Sequence, residues 1–127
     1  MRRLLLDAHV VVWWDIGSPA LGENATKTIR DASSVYVSAV SEWELAIKAG
    51  LGKVKLRRSI MEAALDAGFE LLPISFEHAQ TVRSLKPIHR DPFDRLLVAV
   101  ALVEALALVS SDPLLSQYPI TIIDARQ

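Results

Sequence analysis

The sequence predicts an α/β fold, with a central, mainly parallel sheet of four to five strands covered by helices on both faces. Three observations carry this prediction. Short apolar or β-branched segments recur along the chain, among them RLLL at 3–6, VYVSA at 35–39 and LALVS at 106–110. Segments of helical pattern separate them, and a crossover through a helix implies parallel pairing. No repeat, linker or low-complexity tract interrupts the 127 residues, so residues 1–127 read as one domain.

The elements follow in order. Arg3–Leu6 is a short buried strand that ends at Asp7. The next stretch, HVVVWWDI, is apolar all round and fits either a longer strand or a short helix. Ser18-Pro19 reads as an N-cap with proline at the first helical position, predicting a helix to about Ala32. VYVSA is the second strand. A helix from Ser38 to about Leu51 follows, stopped by Gly50 and Gly52. In it Trp43, Ala46, Ile47, Gly50 and Leu51 recur with helical spacing, the expected core stripe. Ser59 to Ala67 is a helix closed by Gly68, and FELLPI is a strand. Phe76 to Leu85 is a helix halted by Lys86-Pro87, and Pro92 to Ala105 is the most apolar helix. LALVS and PITII supply the last strands.

Composition narrows the chemistry. The chain has no cysteine, which excludes disulfides, zinc–thiolate sites and thiol nucleophiles and suits a cytoplasmic protein. The start, MRRLLLDAHVVVWW, imitates a secretory leader, but Asp7 and His9 interrupt it and no small-residue cleavage site follows. The longest apolar run, Leu96 to Val103, is too short to span a bilayer. A net charge of -1 favours no class of partner. Apolar residues make up 51% of the chain, so part of its surface is expected to face a partner protein. Val10–Trp14 and the helix after it are the expected surface.

Parallel sheets place ligands just beyond the carboxyl ends of their strands. Acids stand at such places here. Asp7 follows the first strand, where a carboxylate also serves as an N-cap. Glu42 and Glu44 follow the second and flank the apolar stripe on opposite sides, so periodicity does not choose between them. Glu44 has ordinary uses too: Ser41-x-x-Glu44 matches a capping box, and Glu44–Lys48 an i,i+4 ion pair. The box fails if Ser38 is the cap. Asp91 precedes Pro92 and is the natural cap of the next helix, leaving Asp94 at its third position. There the helix dipole favours an anion, so Asp91 caps and Asp94 is free to coordinate. Asp112 follows the fourth strand, again before a proline, and again suits an N-cap.

Gathered in one cleft, these carboxylates repel, and a hard divalent cation relieves the repulsion. Oxygen-only ligands point to Mg²⁺ or Mn²⁺. His9, His78 and His89 show no metal-ligand spacing and are not assigned as ligands. The chemistry such a site performs on phosphates is phosphodiester hydrolysis. Arg90 and Arg95 flank the acids of HRDPFDR, and KVKLRR at 53–58 is a basic run suited to a nucleic-acid backbone or to a solvated face.

Several stretches in this order resemble PIN-domain ribonucleases of the VapC toxin type: LLLDAHVVVWW, VSAVSEWELAIKAGLGKV, LLPISFEHA, HRDPFDRLLVAVAL and LVSSDPLL. The likeness covers nearly the whole chain. It implies a three-layer α/β/α PIN-like fold and an Mg²⁺- or Mn²⁺-dependent endoribonuclease that inhibits translation by cutting RNA. It also implies a cognate antitoxin and a homodimer. Carried over residue by residue, the catalytic acids are Asp7, Glu44 rather than Glu42, Asp94 and Asp112, with Asp7, Asp94 and Asp112 at the metal. Ser110 and Arg95 match supporting positions. Asp91 remains the helix cap, and Arg90, Lys53 and Lys55 are candidate RNA contacts. Position 8, often threonine in the family, is Ala8, so hydroxyl support from that residue is absent.

Two other classes compete. A non-catalytic module of the same fold would have no use for four acids. A receiver-like phosphoacceptor domain needs an acceptor aspartate after strand three and a lysine after strand five. Here strand three runs into Pro73-Ile74-Ser75, and the tail TIIDARQ has no lysine.

Overall fold

A computed structural model describes residues 2–127. Five strands form one sheet: β1 (Arg3–Leu6), β2 (Ser34–Ser38), β3 (Glu70–Leu72), β4 (Ala107–Ser110) and β5 (Ile122–Asp124). Their order is β3-β2-β1-β4-β5, and every pairing is parallel. The chain builds outward from β1 to β3 on one side, then returns to β4 and β5 on the other. The direction of winding therefore switches between β1 and β4, where connections diverge and leave a crevice. The acids lie at the carboxyl end of that pair.

Strand alternation sets the two faces. Leu4 and Leu6 point into a cluster with Val10, Val11, Ala25, Ile29 and Ala63. Leu5 points the other way, into a cluster with Leu97, Val98, Val100 and Leu108. All three leucines of β1 are fully buried, each contributing about 1.5–3 kcal/mol. The first cluster packs under α1 (Ala8–Ile16), α2 (Glu23–Asp31) and α4 (Ile60–Asp66). The second packs under α6 (Pro92–Glu104). Two helices remain: α3 (Ala39–Gly50) and the short α5 (Phe76–Thr81), which continues as one 3-10 turn to Ser84. A second 3-10 turn spans Pro113–Gln117. Among the described residues no helix is long and apolar enough to cross a membrane.

HVVVWWDI is a helix. The Asp7 carbonyl accepts from the amides of Val10 and Val11, starting α1 directly at the end of β1. Of the surface expected from Val10–Trp14, the valines at 10 and 11 face the core, while Val12, Trp13 and Trp14 are partly exposed and Ile16 is exposed. Val10 and Val11 are buried, Trp13 packs partly against the same core, and Trp14 stacks at 5.6 Å on Phe69. Gly17, at φ 65°, closes α1 in the left-handed conformation.

The predicted helix start at Ser18-Pro19 is wrong, for a physical reason. The Ser18 amide donates to the Trp13 carbonyl, so the residue is used in ending α1. The chain then turns Leu21 inward, and α2 begins only at Glu23. Its cap, Gly22, must be glycine: an added Cβ would lie 2.3 Å from the backbone of Gln127.

The core stripe assigned to α3 is also wrong. The buried face of α3 is Val40, Ser41, Glu44 and Leu45. Trp43, Ile47 and Leu51 are exposed instead, at 50%, 39% and 65%. Ser38 is the cap, accepting from the Val40 amide, so the Ser41–Glu44 capping box does not form. The helix turns a carboxylate inward because that carboxylate joins the acidic crevice.

Candidate active site

Asp7 sits at the carboxyl end of β1 with extended backbone, the position of an N-cap, but its side chain caps nothing. It turns across the switch point, where the Ser110 hydroxyl donates to Oδ2 at 2.8 Å. The pairing of Leu6 with Val109 sets these two next residues level with each other. Burial pushes the Asp7 carboxyl above its usual range, against the pull of the Ser110 hydrogen bond.

Glu44 enters from the second turn of α3, buried, and forms an ion pair with Lys48 one turn on. Of the two candidate glutamates, it is the one that turns in. Glu42 instead accepts from the Met61 amide at the start of α4. Asp94 enters from the first turn of α6. Asp91 caps that helix as expected, its Oδ1 accepting from the amides of Phe93 and Asp94. Asp94 is thereby left with its carboxylate facing the cleft.

Asp7, Glu44 and Asp94 come from three separate elements, yet each offers an oxygen within 4.8 Å of the others. Burial raises the Asp94 carboxyl to about 7, and the nearby charges of Asp7, Asp91 and Glu44 push the same way. Lys48 is held protonated by Glu44, with further help from Asp91 and Asp94. One lysine does not balance this many carboxylates. The cluster has the donor chemistry of a hard divalent cation site.

Asp112 stands slightly apart. It caps the 3-10 turn through the Leu114 amide, and its own amide donates to Ser110 Oγ. Its other oxygen lies 2.6 Å from His89 Nε2, which is also 3.2 Å from Asp94 Oδ2. His89, Asp94 and Asp112 thus form a second group within 4.8 Å, sharing Asp94 with the first. The metal set Asp7, Asp94 and Asp112 therefore divides. Asp7 and Asp94 pair with Glu44, while Asp112 reaches Asp94 through His89.

Arg95 does not face the acids. Its guanidinium donates to the carbonyls of Val82, Leu85 and Lys86 and to the Tyr118 hydroxyl, so it fastens the loop before α6. Arg57 and Arg58 of the basic run are engaged by Asp15 of α1, whose carboxyl they hold below its usual range. Lys53, Lys55 and Arg90 are exposed. Ala8 is fully buried. Two groups near the acids escaped sequence reasoning as site residues. Lys48 was visible only as an ion-pair partner. His89 has no metal-ligand spacing, and the clue to it was its place just before an N-cap, where the chain folds back over the helix start.

A model of the PIN domain matches residues 4–120. This chain belongs to the PIN-domain family. Among curated proteins, ribonuclease VapC22 of Mycobacterium tuberculosis (strain ATCC 25618 / H37Rv) is 30% identical over 115 residues, covering 88% of each chain. Solved structures share the PIN fold of this chain at lower identity. VapBC2 from Rickettsia felis, bound to a DNA fragment from its promoter, aligns with TM-score 0.70 at 18% identity, over 95% of this chain and 97% of that one. FitAcB from Neisseria gonorrhoeae gives 0.67 at 17%, over 96% and 97%. DNA-bound VapBC from Salmonella typhimurium gives 0.65 at 19%, over 98% of both. The three-layer PIN-like arrangement expected from the sequence is the one observed.

Proposed function

We propose that this PIN domain is a VapC-type ribonuclease toxin, a metal-dependent endoribonuclease that cuts RNA to inhibit translation in the cytoplasm and is neutralised by a cognate antitoxin. One observation carries the metal-dependent part: three carboxylates from β1, α3 and α6 converge within 4.8 Å at the topological switch of a parallel sheet. The naming of the VapC22 relative as a ribonuclease supports the RNA substrate. The toxin–antitoxin assemblies among the structural neighbours support the antitoxin.

Asp7, Glu44 and Asp94 are the residues that would hold Mg²⁺ or Mn²⁺, with Asp112 completing the acidic set. A bound divalent cation supplies charge stabilisation on a phosphodiester and activation of a water nucleophile. The protein's own groups do the rest. Ser110 fixes Asp7 through Oδ2. Asp91 absorbs the α6 amides, so Asp94 stays turned to the cleft. Lys48 steadies Glu44. Arg90, Lys53 and Lys55 are exposed cations available to RNA phosphates, a contact that weakens with salt.

The test is Asp7→Asn. Purified variant and wild type would be incubated with RNA in Mg²⁺, in Mn²⁺ and in a chelator. The wild type is expected to cleave only with metal, and the variant to lose cleavage while keeping its circular-dichroism spectrum. Equal cleavage by both ends the assignment. Growth arrest on expression, reversed by the neighbouring gene, tests the toxin role separately.

A further inference from the structure

His89 makes more contacts than a residue merely filling space beside the acids. Its backbone amide donates to the Tyr118 hydroxyl at 3.0 Å. Its Nδ1 lies 3.1 Å from the Asp91 amide, which can only donate. Nδ1 must therefore accept, and the ring proton sits on Nε2. Nε2–H then points at Asp112 Oδ2, 2.6 Å away, with Asp94 Oδ2 at 3.2 Å. A nitrogen that carries a proton does not ligate a cation. His89 is therefore a donor within its group of three, although the distances alone would suit a ligand.

The bonds form a continuous chain. The Asp91 amide fixes His89, and His89 holds Asp112. The Asp112 amide donates to Ser110 Oγ, whose hydroxyl donates to Asp7. The cap of α6 is thus linked to the acid at the end of β1 on the far side of the switch point. Each carboxylate oxygen retains a further lone pair, so a donor on one side does not block coordination on the other.

We infer that His89 is a positioning residue of the acidic cluster, its Nε2–H holding Asp112 beside Asp94 and so aiming it at the cation site. The inference rests on the metal-dependent reading above. It extends that reading to a residue that contributes no ligand atom. Hydrogen bonds of this kind to ligating groups typically change metal affinity by about 10- to 100-fold.

The test measures Mn²⁺ binding to the RNA-free protein by calorimetry, for wild type, His89→Leu, His89→Gln and Asp7→Asn. His89→Leu is expected to bind Mn²⁺ at least about 10-fold more weakly, with an unchanged circular-dichroism spectrum. His89→Gln, whose amide NH₂ can replace the Nε2 donor, is expected to restore most of the affinity. Equal or tighter binding by His89→Leu overturns the inference, because the imidazole would then only occupy the pocket. Failure of His89→Gln to restore affinity overturns it too. If wild type and Asp7→Asn both take up no Mn²⁺, the metal reading itself fails, and this result is distinct from the others. A measurement without variants guards against misfolding: ¹⁵N shifts of His89 in wild type should show Nε2 protonated and Nδ1 bare. The opposite tautomer sinks the proposal.

Discussion

At the scale of single residues, the cleft is a competition between protons and a cation. Burial, then the neighbouring acids, raises the Asp94 carboxyl from 3.8 to about 7, and burial raises Asp7 in the same direction. A carboxyl whose folded pKa lies above its unfolded value stabilises the protein when protonated. That contribution is complete below the unfolded value and disappears as pH rises through the folded one. The metal-free protein should therefore melt at progressively lower temperature as pH rises from about 5.5 to 8. Saturating Mn²⁺ should flatten or reverse the trend, since the cation takes the place of the proton. Melting curves in chelator and in Mn²⁺ check this, and a metal-free protein whose melting point climbs over that range contradicts it. Asp7, Asp94 and Asp112 could be read from the sequence because each follows a strand or opens a helix, and parallel sheets gather such positions; Glu44 was separated from Glu42 only by the family resemblance. His89 could not be read, because its role depends on a backbone amide that faces it only after folding. Arg95 could be read as adjacent to Asp94, but not as turned away from it toward the carbonyls of Val82, Leu85 and Lys86.

At the scale of elements, α6 shows both what pattern reveals and what it hides. Asp91-Pro92 announces the start of the helix, and the apolar run predicts its burial. Its end carries no comparable signal. Ala105 closes the helix at φ 56°, the one non-glycine residue with positive φ among those described. A left-handed L-residue costs about 1–2 kcal/mol, while glycine costs about 0.5–1 kcal/mol in unfolded-chain entropy. Ala105 is exposed, so no packing is lost on its replacement. Ala105→Gly should stabilise the protein by about 0.5–1 kcal/mol, raising its melting temperature by a few degrees. An unchanged or lower melting temperature refutes this. The same limit on local signals explains the misplaced start of α2. Ser18-Pro19 has the chemistry of a helix cap, and the Ser18 hydroxyl does accept from the Ala20 amide, but it caps a single turn that ends before α2 starts at Glu23. The two central strands were legible because their burial is nearly continuous, as in Leu4–Leu6 and Leu108–Ser110, and the others because a helical segment separates each from the next. The facing of α3 was not, because its pattern offers two stripes and only the assembled crevice selects the one that carries Glu44.

At the scale of the whole molecule, the stripe that α3 leaves outside bears on assembly. Trp43, Ile47 and Leu51 succeed one another four residues apart, so they form one line along the helix. Met61 and Leu65 of the adjoining α4 are also exposed, at 48% and 57%. Exposed apolar side chains gathered on adjoining helices mark an interface more often than a free face. It also accommodates the high apolar content that the core alone does not absorb. Trp43 packs edge-on against Phe93 at 4.7 Å, and these two residues directly precede Glu44 and Asp94. The surface therefore borders the acidic crevice, and a second copy docked there would help wall it. The purified protein alone is expected to sediment as a dimer, and Ile47→Glu to shift it toward monomer while its secondary structure persists. Trp14→Glu should behave differently and destabilise the fold itself, because the partly buried Trp14 packs on Phe69 against the core. A wild type that sediments as a monomer, or an Ile47→Glu variant that keeps the wild-type dimer mass, would mean that α3 does not carry self-association. The contrast between the two glutamate variants separates an interface from a core, a distinction hydropathy alone does not make, since the more apolar of the two segments is the one that packs inward.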